Sequence, residues 1–190
     1  MWGFILNNMI DPNISNIIRA RRSTYPRDFN GEKIEDHVVK KMLENANYAP
    51  THRMTQPWFF KVYSETKKAD LAQEIVNLNP NSSDFFKKKI FENFNKSSHI
   101  ICICMKRHEK IVPEWEEIAA TSMSVQNMWI SLVNSNMGGY WSTPKYIEGL
   151  NNFLNLKRDD RCLGFFYLGI INSISPRNVT RDSIDTKTTW

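Results

Sequence analysis

The run Ile100-Ile101-Cys102-Ile103-Cys104-Met105 carries no polar side chain. A short apolar run rich in β-branched residues reads as a strand buried inside a sheet. Such a strand needs cover, and the sequence supplies it as amphipathic helices. In Glu35 to Tyr48, the residues Val38, Val39, Met42, Leu43 and Ala46 recur at three- and four-residue steps, and Pro50 ends the helix by disfavouring helical geometry in the residue before it. Ile14 to Arg22, Lys67 to Leu78 and Asp84 to Phe94 read as further helices. Pro113 to Asn136 reads as the longest, apolar over so much of its circumference that it belongs in the core or across a dimer seam. The pair Gly138-Gly139 is expected to stop it. Trp58 to Tyr63, the short Tyr140-Trp141 and Leu163 to Ile171 read as strands, and Glu148 to Leu154 as a brief helix. Helices that outnumber and alternate with strands predict an α+β or α/β class built around one mixed sheet.

The 190 residues fit a single domain, residues 1–190, with an N-terminal extension over 1–13 and a polar tail over 172–190 of the kind that crosses to a partner subunit. Lys and Arg number 25 against 20 Asp and Glu, and this balance of +5 is too small to argue for nucleic acid. The densest basic run, Lys87-Lys88-Lys89, lies beside Phe85, Phe86, Ile90 and Phe91 and reads as the wet face of a helix. Cys102, Cys104 and Cys162 have no framework spacing, so they read as small buried hydrophobes, and a zinc site with His99 or His108 lacks ligand spacing. Met1 to Ile10 has neither a basic start nor a small-residue cleavage site, and no stretch is long enough to span a bilayer. The expected compartment is the cytoplasm, with no membrane partner.

No glycine-rich phosphate loop, nucleophile elbow or paired-histidine metal motif is present, and His37 and His108 fall on polar positions read as solvated. An aromatic-rich domain with few titrating groups suggests that a cofactor supplies the chemistry. Three segments could hold one. Arg21-Arg22-Ser23 sets two guanidiniums and a hydroxyl at a helix end, suited to bidentate contacts with phosphate or simply to solvent. Ala49 to Trp58 is a polar loop between a firm helix and a firm strand, where binding groups concentrate, or an ordinary connection. Gly138 to Thr143 offers close backbone approach, or a plain helix stop.

In this order the segments resemble the nitroreductase family, most closely its compact bacterial branch of NAD(P)H nitroreductases. The resemblance rests on Arg21-Arg22-Ser23, Ala49-Pro50 with His52, and Gln56-Pro57-Trp58. It extends through Val112-Pro113-Glu114-Trp115-Glu116, Gly138 to Trp141 and Gly164 to Gly169, and so spans roughly residues 15 to 171. It implies a central sheet wrapped by helices and an intertwined homodimer with two FMN sites between the subunits. Arg21, Arg22 and Ser23 would grip the phosphate, ribityl chain and pyrimidine edge of FMN. Pro50 and His52 would reach the flavin from the other subunit, and Trp141, Ser142 and Thr143 would line its phosphate end. The implied reaction takes hydride from NAD(P)H through flavin N5 to a small electrophilic acceptor, such as a nitroaromatic or a quinone, in ping-pong order. Two positions depart from the branch: Tyr48 and Ser142 stand where it carries arginines. Losing one charge-assisted contact costs about 1.5–3 kcal/mol, and Arg177 in the tail is positioned to compensate. A flavin-binding protein of the same fold with little turnover is the alternative.

Overall fold

Two stacks of side chains, one on each face of a single sheet, hold the protein together. The computed structural model describes residues 10–173 and 180–190. Helix α1 (Pro12–Ala20) opens with Pro12 in its first turn and the Asp11 carboxylate accepting from the Asn13 amide at 2.8 Å. It begins inside the segment expected to be an extension. Helix α2 (Asp36–Ala46) leads to strand β1 (Trp58–Ser64). Helices α3 (Glu65–Asn77) and α4 (Asp84–Lys96) follow, the second capped by Ser83 Oγ, which accepts from the Phe86 amide at 3.2 Å. Strand β2 (His99–Met105) is buried along its whole length. Helix α5 (Glu114–Ile130), strand β3 (Met137–Ser142) and strand β4 (Arg161–Ile170) complete the elements that set the site.

The sheet order is β1-β2-β4-β3, and every pairing in it is antiparallel. The α+β class holds, but the expected mixed sheet is corrected to an antiparallel one among the described residues. The reason lies in the connections. Two packed helices, α3 and α4, link β1 to β2, so the chain returns to the end it left and β2 runs back along β1. One helix, α5, links β2 to β3, which therefore run the same way, but β4 lies between them and opposes both.

Strand alternation sorts the core. Ile100, Cys102, Cys104, Phe165 and Tyr167 face Leu71 and Ile75 of α3 and Ile90 and Phe94 of α4. Ile101, Ile103, Phe166 and Leu168 face Val39 and Met42 of α2 and Val125 and Met128 of α5. Each such side chain, fully buried, contributes roughly 1.5–3 kcal/mol. No helix among the described residues is long and apolar enough to cross a membrane.

The expected glycine stop is also corrected. Helix α5 ends at Ile130, and the chain turns through Asn134 in the left-handed region, φ 65°, a conformation asparagine tolerates. Gly138 and Gly139 sit inside β3 because nothing larger fits: a Cβ on Gly139 would lie 2.2 Å from Phe166 Cζ, and one on Gly138 would lie 2.7 Å from Thr24 Cβ. The brief helix expected from Glu148 is a 3-10 turn over Ile147–Leu150.

Candidate active site

The chain leaves α1 at Arg21 and runs beside β3, with the Thr24 amide donating to Gly139 O at 2.9 Å. Trp129, near the end of α5, fixes this crossing: its indole Nε1 donates to Arg22 O at 3.0 Å, and the Arg21 guanidinium stacks over its ring, 4.8 Å from the centroid. A pocket opens here, lined by Arg21, Arg22, Thr24, Trp129, Gly138 and Gly139. Burial, and secondarily the charge of Arg181, push the Arg21 guanidinium below its ordinary pKa. Arg21, with Arg22 beside it, gives the pocket the positive charge that suits an anion. Composition alone could not single out Arg181 within a polar tail; the sequence pointed instead to Arg177, which lies outside the described residues.

The other predicted residues of β3 divide. Trp141 turns inward: its Nε1 donates to Leu163 O at 3.1 Å, the extra residue at a bulge between β2 and β4. Gly164 beside it needs its left-handed φ of 131°, since a Cβ there would lie 2.3 Å from Ser142 O. The structure thus gives Trp141 a packing role at this bulge. Ser142 lines a second hollow with Tyr25, Arg27, Lys89, Asn93 and Tyr140. There the rings of Tyr25 and Tyr140 approach to 4.6 Å, and the Arg27 guanidinium lies 5.4 Å from the Tyr25 ring. Arg27 and Lys89 carry positive charge near Ser142, where the sequence offered none. Thr143 is exposed.

Tyr48, Pro50 and His52 lie elsewhere. Tyr48 is 85% exposed, and Pro50 and His52 are exposed as well. The loop beyond them is tightly specified. Arg53, Met54 and Gln56 all have positive φ, at 51°, 53° and 44°. Such residues cost of order 1–3 kcal/mol each and persist where surrounding contacts over-determine them. The contacts are Thr51 Oγ1 to Thr55 Oγ1 at 3.0 Å, the Gln56 amide donating to Thr51 Oγ1 at 3.2 Å, and His52 Nδ1 donating to Glu116 Oε2 at 2.5 Å. Glu116 is in the first turn of α5 and Trp129 in its last. At 1.5 Å per residue the two anchor points stand about 20 Å apart along the helix. One chain therefore keeps the Arg21 group and the His52 group at opposite ends of α5.

A model of the nitroreductase family matches residues 18–170. The chain belongs to the nitroreductase family. YfhC of Bacillus subtilis (strain 168), named as an NAD(P)H nitroreductase, is 29% identical over 82% of this chain and 83% of its own length. Among solved structures, a nitroreductase-like family protein from Bacillus cereus superposes with a TM-score of 0.82 at 21% identity, covering 97% of this chain and 98% of its own. A point mutant of NfnB, an FMN- and NADPH-dependent nitroreductase from Sphigopyxis sp. strain HMH, gives 0.74 at 15% identity over 93% and 97%.

Within this nitroreductase chain, sequence reasoning missed one further cluster. His108, read as solvated, is half-buried: its Nδ1 donates to Glu117 Oε1 at 2.6 Å and its amide donates to the same oxygen at 3.0 Å. Arg107 donates to Oε2 of that carboxylate. Glu117, 1% exposed, turns inward from the first turn of α5 and gathers both neighbours, which corrects the solvated reading. His37 is exposed as expected.

Proposed function

We propose that this nitroreductase-family chain is an FMN-dependent oxidoreductase that passes hydride from NAD(P)H to a small electrophilic acceptor, a nitroaromatic or a quinone, as a homodimer. The observation that carries the reading is the cationic pocket of Arg21 at one end of α5, with the tightly specified loop of His52 at the other. A flavin is too small to touch both groups within one chain. Two copies with their α5 helices opposed would join the Arg21 end of one to the His52 end of the other. The exposed apolar residues Trp115, Ile118 and Met123 on α5, with Met54 on the loop, are suited to such a seam.

The donor set fits FMN. Arg21 and Arg181 suit its dianionic phosphate, with Arg177 a further candidate from the sequence, and Arg22, Ser23 and Thr24 supply polar groups beside them. Bound flavin would supply two-electron hydride chemistry. The chain's own tasks are then to orient the ring, exclude water, and hold a guanidinium of Arg21 or Arg22 where negative charge develops on reduction. Donor and acceptor would use the same face in turn, giving ping-pong kinetics.

The test is a visible spectrum of freshly purified protein, before and after adding FMN, followed by anaerobic titration with NADH and with NADPH. A yellow protein that either nicotinamide bleaches, and a quinone recolours, supports the reading. Protein that takes up no flavin refutes it. Flavin that neither nicotinamide bleaches would favour a binding role with little turnover.

A further inference from the structure

We propose that His52, held by Glu116, is the proton donor to the acceptor, delivered into the flavin site of the opposing protomer. The inference rests on the function proposed above. His52 Nδ1 is committed to Glu116 Oε2 at 2.5 Å, and because an ionised carboxylate can only accept, that nitrogen carries the hydrogen. Nε2 remains as the ring nitrogen open to exchange, on a side chain that is 58% exposed. The orientation is enforced twice, by Glu116 from α5 and by a loop with three positive-φ residues that Thr51 and Thr55 lock. A histidine kept only for its bulk needs neither device. Of the four histidines in the chain, His99 is buried against Ser98 and Asp36, His108 is bonded to Glu117, and His37 stands on the exposed side of α2. That leaves His52 for proton transfer at this site.

The step balances. A quinone takes one hydride, two electrons with one hydrogen, that originates on NAD(P)H. One proton from His52 Nε2 goes to the carbonyl oxygen bearing the developing charge, and the product is the hydroquinone. Nε2 then recovers a proton from solvent. Reduction of the enzyme by NAD(P)H uses no proton from His52.

The experiment follows reoxidation of the reduced holoenzyme by a small quinone and, separately, by ferricyanide, which takes one electron and no proton. His52→Gln is expected to slow quinone at least about tenfold, as loss of a general acid does, and to slow ferricyanide far less. Glu116→Ala, which removes the carboxylate that orients the ring, should show the same split between the two oxidants, and Glu116→Asp should recover part of the quinone rate. Imidazole nitrogen resonances of 15N-histidine-labelled holoprotein give a readout apart from turnover: Glu116→Ala should lose the Nδ1-protonated tautomer of His52. Equal slowing of both oxidants in His52→Gln, or a Glu116→Ala variant that keeps the wild-type quinone rate and tautomer, would overturn the proposal while leaving the flavin enzyme intact. Should His52→Gln lose its flavin, Glu116→Ala decides alone. A wild-type protein without flavin sinks the functional reading and this proposal together.

Discussion

Replacing Arg21 by alanine removes the cation that stacks over Trp129 at the rim of the pocket. In the ligand-free protein the loss has two opposing parts. The stacking of guanidinium on indole is worth about 0.5–1 kcal/mol at a partly exposed site. Against it stand the burial of the guanidinium and, second, the charge of Arg181, which both depress the Arg21 pKa and are relieved by the substitution. The two parts act in opposite directions, so the melting temperature of the apoprotein should move by no more than about 2–4 °C, equivalent to about 1 kcal/mol in a chain of this size. With FMN bound as proposed the balance would differ, because its phosphate would attract the Arg21 guanidinium. Losing one charge-assisted hydrogen bond then costs about 1.5–3 kcal/mol, which weakens binding about ten- to a hundredfold.

Titration of FMN into apoprotein, read by quenching of flavin fluorescence at low and high salt, measures this directly. The wild type should lose affinity with salt more steeply than Arg21→Ala. Arg181→Ala in the same assay separates two roles: weaker binding if Arg181 shares the phosphate, unchanged or tighter binding if it only repels Arg21. An FMN affinity in Arg21→Ala equal to that of the wild type would refute the assignment of the pocket.

Three further outcomes follow from the packing. Gly139→Ala forces a methyl to within 2.2 Å of the buried Phe166 ring, and by the usual cost of overpacking should destabilise the fold by about 1–3 kcal/mol, read as an earlier thermal or denaturant midpoint. An unchanged midpoint would show that β3 can shift away. Glu117→Gln leaves the half-buried Arg107 and His108 without their carboxylate and should cost about 3–5 kcal/mol, also visible in denaturant melts. Burial, outweighing Asp36, lowers the His99 pKa. The unfolded chain therefore binds a proton near pH 6.5 that the folded one resists. Stability is full above that pH and is lost as pH falls toward the folded value. Melts between pH 7.5 and 5 should show this slope, and His99→Gln should reduce it; an identical slope in the variant would assign the effect elsewhere.

Much of the fold was legible because it depends on local periodicity. The apolar run at Ile100 does form the most buried strand, and the stripe from Val38 to Ala46 does face the sheet. What local pattern cannot carry is which strands become neighbours, and the insertion of β4 between β2 and β3 decided that every pairing is antiparallel. Nor could it give the reason for Gly138-Gly139, since the residues that forbid side chains there are Thr24 at Gly138 and Phe166 at Gly139, which come near only in the folded chain. The Arg21 and His52 segments were legible as motifs. Arg27, Lys89, Arg181 and Glu117 were not, because nothing local separates a surface charge from one aimed at a pocket or folded inward.

Glu116 shows how a motif can be read and its purpose still missed. In sequence it is one letter of Val112-Pro113-Glu114-Trp115-Glu116, equivalent to Glu114 and Glu117 as an acid in the first turn of a helix, where the helix dipole favours negative charge. Helical phase separates the three. At 100° per residue, Glu117 turns to the interior and binds Arg107 and His108, Glu114 stays exposed near Arg161, and Glu116 meets the loop of His52. The same α5 then carries its last turn to Trp129 and Arg21. Because α5 is rigid, the roughly 20 Å between those contacts is a fixed length. Shortening or lengthening the helix by one residue would rotate Trp129 by 100° relative to Glu116. The phase between two distant side chains, more than either side chain alone, is what would let two copies of the chain build one site.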